Sequence, residues 1–86
     1  MFLEKDLIFQ DLGDKMAVWN PRKKETLILN NTAWYILSLI DLGINSVEDI
    51  AKNLAKEYEI DLETAKKDTM ELIEELLKAG IIWKEG

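Results

Sequence analysis

The sequence predicts an α+β domain in which a three-stranded antiparallel sheet is followed by three helices. Three features carry that expectation. Short apolar runs split by turn residues fill the first third of the chain. Helical periodicity of apolar residues fills the rest, and each periodic stretch opens on a residue able to cap a helix.

The strands are taken first. Leu7, Ile8 and Phe9 form an apolar run that ends at the turn signal Asp11-Leu12-Gly13-Asp14. Met16, Ala17, Val18 and Trp19 form a second run, stopped by Asn20-Pro21, where proline presets φ and asparagine can cap its own backbone. Thr26-Leu27-Ile28-Leu29 makes a third. Connections this short suit an antiparallel meander, placed at about residues 5–29.

The helices occupy about residues 31–79. Asn30 or Asn31 caps the first, with Ala33, Ile36, Leu37 and Ile40 on one face and Trp34, Tyr35 and Leu39 elsewhere, so this helix is central and covered on several sides. Gly43 ends it. Ser46 caps the second, with Asp49 three residues on in a variant of the capping box. Val47, Ile50, Ala51, Leu54, Ala55 and Tyr58 follow the helical template throughout. Asp61 caps the third, whose apolar stripe is Leu62, Ala65, Thr69, Leu72, Ile73, Leu76 and Leu77; Gly80 ends it, and Ile81-Ile82-Trp83 resumes as a strand-like tail over residues 81–83. Such an order is of the winged helix-turn-helix type. The sheet must close one side of the core, and its border strands keep unpaired main-chain groups.

At 86 residues the chain is one domain, 1–86, and its 48% hydrophobic content can build a core without metals or disulfides. Catalysis is not expected. There is no cysteine and no histidine, so the usual thiol nucleophile, general base and metal ligands are missing. The glycines stand alone, so no phosphate-binding loop exists, and Asp41, Gly43, Asn45 and Glu48 do not match the spacing of a calcium loop. No cofactor is expected. The N-terminus lacks the features of a signal peptide and no apolar stretch is long enough to span a membrane, which points to a cytoplasmic protein.

Eleven basic residues against seventeen acidic ones give a net charge of −6, and the one basic cluster, Arg22-Lys23-Lys24, lies in a turn. Nucleic acid is therefore not an expected partner.

Leu29-Asn30-Asn31-Thr32-Ala33, then Gly43-Ile44-Asn45-Ser46-Val47-Glu48-Asp49-Ile50, then Ala51, Leu54, Tyr58, Asp68, Leu72, Leu76 and Ala79-Gly80-Ile81-Ile82 follow an order that resembles the PqqD-like proteins, the recognition elements for precursors of ribosomally made, modified peptides. The resemblance runs from about Trp19 to Ile82. It implies a leader-peptide partner that adds as an antiparallel strand beside the third strand and lies against the third helix, together with a modifying enzyme, a radical-SAM maturase or a leader peptidase, to which the peptide is presented.

On this chain the implied strand is Thr26, Leu27, Ile28 and Leu29. Edge-strand addition draws affinity from main-chain hydrogen bonds and selectivity from side-chain pockets. Lys66, Lys67, Met70, Glu74 and Lys78 lie at or near the flank of the apolar stripe of the third helix and, with Trp34, complete the candidate peptide-binding set. Each has a plainer reading: core filler for Met70 and Trp34, a solvated face for the charges.

Two other functions compete. A winged-helix DNA-binding regulator would offer its third helix to phosphates, yet that helix and its cap carry Asp61, Glu63, Asp68, Glu71, Glu74 and Glu75 against Lys66, Lys67 and Lys78. A small structural subunit would dock on a larger protein without peptide specificity. Oligomeric state is open, because a free strand edge can recruit a second copy.

Overall fold

Within the described residues, 1–84 of a computed structural model, four strands precede the helices and one follows them. The elements are β1 (Phe2–Leu3), β2 (Ile8–Asp11), β3 (Met16–Asn20), β4 (Glu25–Leu29), α1 (Asn31–Asp41), α2 (Val47–Tyr58), α3 (Leu62–Lys78) and β5 (Ile82–Trp83). Strands β2, β3 and β4 form the antiparallel meander, with β3 in the middle. The architecture is the winged-helix type that the sequence predicts.

All three caps form by local hydrogen bonding. The side chain of Asn30 accepts from the N–H of Ala33, that of Ser46 from Asp49 and that of Asp61 from Thr64. Gly43 follows α1 and Gly80 follows α3, each at positive φ. No glycine marks the end of α2. There Glu59 takes the left-handed conformation at φ 52°, and its N–H returns to the carbonyl of Ala55.

The strands depart from expectation in two places. The first run of the meander pairs from Ile8 to Asp11 rather than from Leu7, because the register continues to the hairpin at Gly13, where the Asp11 carboxylate accepts the N–H of Gly13 at 2.8 Å. Phe2 and Leu3 make an extra strand that pairs with the tail as Phe2↔Trp83 and Leu3↔Ile82. Trp83 is exposed and stacks on Phe2 at 4.8 Å between ring centroids, a sheet-packing role.

The core lies between the meander and the helices. Val18 and Leu29 come from the sheet; Ile36, Leu37, Ile40, Ile50, Leu54, Ala65 and Leu76 come from the helices; Ile81 and Ile82 close the end. Leu27 and Leu29 face this core, whereas Thr26 and Ile28 face outward beside Trp19 and Ala17. Every leucine buried at such a position contributes roughly 1.5–3 kcal/mol.

Candidate functional site

Strand β4 is a border of the meander, and the ladder shows which of its main-chain groups are free. The N–H of Leu12 donates to the carbonyl of Lys15 at 2.9 Å, so those two residues form a hydrogen-bonded pair. Such pairs recur at every second residue, hence at Gln10–Ala17 and Ile8–Trp19. Ala17 and Trp19 are thereby committed to β2, and Met16, Val18 and Asn20 to β4. Glu25, Leu27 and Leu29 answer them. The N–H and C=O of Thr26 and Ile28 consequently point off the open side of the sheet.

A groove of about 640 Å³ runs beside this border. One wall is Ile28 and Leu29 of β4. Ala33 and Ile36 of α1, Leu54 of α2 and Leu72 of α3 line its apolar part, and Asp68, Glu71 and Glu75 of α3 bring three carboxylates to it. Lys15, Asn30 and Thr32 complete the lining. A smaller hollow of about 160 Å³ adjoins it, shares Lys15, Leu29 and Asn30, and is lined by Trp34, whose indole meets Phe9 edge-on at 5.5 Å. Strand β5 does not cover the border, since it pairs with β1 in a separate sheet.

The sequence-expected residues therefore separate. Ile28 and Leu29 line the groove, Thr26 supplies free main-chain groups at its side, Leu27 faces the core, and Trp34 lies at the adjoining hollow. The residues expected from α3 spread from its exposed face, beside Glu71, round to the far flank of its apolar stripe. At 3.6 residues per turn, Lys78, Lys67, Glu74, Met70 and Lys66 are about 60°, 80°, 100°, 140° and 180° around the helix from Glu75, so Lys67 and Lys78 lie within about 40° of Glu71. Lys66 pairs with Glu48 of α2 at 3.2 Å, Lys78 with Glu74 at 3.6 Å, and Met70 is 59% exposed. None of the five lines the groove.

Sequence reasoning did not single out Asp68, Glu71 and Glu75 as a wall. Their charge reads as solvated helix surface, and only the placement of α3, packed on α2 and β5, reveals which flank faces β4 across the groove. Among the described residues no cluster of carboxylates is arranged to hold a metal ion.

The family model for "Coenzyme PQQ synthesis protein D (PqqD)" matches residues 15–82, from the β2–β3 hairpin to the start of β5. The chain belongs to the PqqD family. Two solved structures share the architecture of this PqqD-family chain across nearly its whole length. "Lasso peptide synthetase B1 complexed with the leader peptide" is 27% identical, with a TM-score of 0.80 over 95% of each chain. "TbiB1 in Complex with the TbiA(beta) Leader Peptide" is 17% identical, with a TM-score of 0.83 over 100% of this chain and 99% of its own; at that identity the likeness shows the fold. No curated protein matches the PqqD-family chain significantly.

Proposed function

We propose that this PqqD-family protein binds the leader segment of a ribosomally made precursor peptide as a fourth strand on β4 and presents it to a modifying enzyme. The observation that carries the reading is the open border of β4, with the main chain of Thr26 and Ile28 unpaired beside a groove walled by α3. Main-chain pairing supplies affinity for any extended guest, and the groove supplies choice among guests. Both structures cited above hold leader peptides on the same architecture.

The role is one of binding and not of catalysis, in the cytoplasm, with a radical-SAM maturase or leader peptidase as the enzyme served. No described helix is long and apolar enough to cross a membrane. A leader disordered when free loses conformational entropy on docking, so its affinity falls in the range of about 10⁻⁵ to 10⁻⁸ M.

Amide-shift titration of the labelled protein with the N-terminal half of the candidate precursor tests this reading. The expected perturbations cluster on residues 25–29 and on the α3 flank that carries Asp68 and Glu75. Perturbations centred elsewhere would remove the proposal. A parallel titration with duplex DNA addresses the competing regulator, whose affinity would fall steeply as salt rises.

A further inference from the structure

We propose that the guest strand is cationic on its groove-facing side, carrying lysine or arginine at alternate positions that meet Asp68, Glu71 and Glu75. This inference rests on the strand-addition reading and adds to it the chemical class of the peptide.

Along the groove, the lining residues offer three carboxylates from one helix flank against a single cation, Lys15, near the β2–β3 hairpin. Among the described residues none of the three carboxylates takes part in an ion pair; Lys66 pairs with Glu48, Lys78 pairs with Glu74, and Lys67, about 40° around the helix from Glu71, does not line the groove. The floor between wall and strand is apolar: Leu29, Ala33, Ile36, Leu54 and Leu72. A guest paired to β4 turns every second side chain toward this floor.

A long side chain with an aliphatic stem and a charged head satisfies both surfaces, stem on the floor and head at the wall. A short polar side chain reaches neither. An acidic one meets three like charges. The spacing also agrees, since Glu71 and Glu75 are separated by about 6 Å along the helix axis and same-face positions of a strand by about 6.7 Å. The net charge of −6 on the whole chain acts in the same direction by drawing cationic peptides toward the surface.

The test uses three synthetic peptides of equal length that share an alternating valine and threonine frame and carry lysine, glutamine or glutamate at the groove-facing positions. Binding to the full chain is followed by amide shifts at low salt and again at high salt. Each partly exposed charge pair changes affinity by a factor of about two to five. The lysine peptide is therefore expected to bind on the order of tenfold more tightly than the glutamate peptide at low salt. That advantage shrinks at high salt, where the screening length falls to about 3 Å, and it also shrinks in the Asp68→Asn, Glu71→Gln, Glu75→Gln variant.

If all three peptides perturb Thr26 to Leu29 with equal affinity, the charge inference fails while strand addition stands. If none perturbs β4, both fail. If the lysine peptide binds with its shifts away from β4, on another acidic surface, the inference is likewise overturned.

Discussion

The side-chain amide of Asn20, at the end of β3, donates to the carbonyl of Gly80, just past α3, at 2.9 Å across 60 positions of sequence. It also donates to the carbonyl of Ala79 at 3.2 Å, while its own oxygen accepts the N–H of Arg22 at 3.0 Å. One buried side chain thus closes the β3–β4 turn and ties it to the end of the helix that walls the groove. The tie fastens the β3–β4 turn to the C-terminal end of α3.

Removing it is expected to destabilise the protein. Asn20→Ala leaves buried carbonyls unpaired and costs about 2–3 kcal/mol, read as a lower urea midpoint with an unchanged slope. Gly80→Ala is expected to cost a similar amount. A Cβ there would lie 2.8 Å from the Asn20 amide nitrogen, and the φ of +70° is one that side chains disfavour. The two substitutions should be less than additive, since Asn20→Ala removes the atom that the new methyl group would strike.

Thr69 on α3 is fully buried, and its hydroxyl has no hydrogen-bond partner. Thr69→Val keeps the shape and removes the unpaired group. A gain of about 1 kcal/mol is expected by thermal or urea denaturation. A loss of stability would mean that the hydroxyl is satisfied in solution.

Proline substitutions separate the two sets of main-chain groups on β4. Thr26→Pro deletes an N–H that points away from β3, so folding should survive while peptide affinity falls about tenfold or more. Leu27→Pro deletes a ladder bond and a core-facing side chain, and should unfold the protein. Circular dichroism checks the first half of this contrast, and a binding isotherm checks the second.

Tyr35 on α1 has its phenol pushed above the ordinary tyrosine value by desolvation, then by the nearby Glu57 and by Tyr58, whose ring it meets edge-on at 5.6 Å. A raised pKa in the folded state favours the protonated form there. Its contribution to stability is therefore complete below about pH 10 and is lost as pH rises through the higher folded value. Tyr35→Phe should flatten that alkaline decline in denaturation midpoints measured across the range.

The helices were legible because their determinants are local. Asn30, Ser46 and Asp61 each bond to a backbone N–H three residues on, a distance that the sequence itself displays. Asn20-Pro21 was legible as a turn for the same reason. Its second role was not, because the carbonyls of Ala79 and Gly80 come to Asn20 only through the packing of α3. Strand β1 was missed on similar grounds: two residues, Phe2 and Leu3, give no periodicity, and their partners lie at the far end of the chain. The order of strands and the open side of β4 followed from the meander. The acidic wall did not, since Asp68 and Glu75 differ from the other acids of α3, Glu63 and Glu74, only in which side of the helix the fold turns toward the groove.

Amide hydrogen exchange at single-residue resolution, with and without the N-terminal half of the precursor peptide, tests the peptide-strand account most directly. In the free protein the N–H groups of Leu27 and Leu29 should already be protected and those of Thr26 and Ile28 exposed to exchange. Peptide is expected to slow exchange at Thr26 and Ile28 and to change Leu27 and Leu29 little. New protection along β2 instead, or none anywhere on β4, would contradict it.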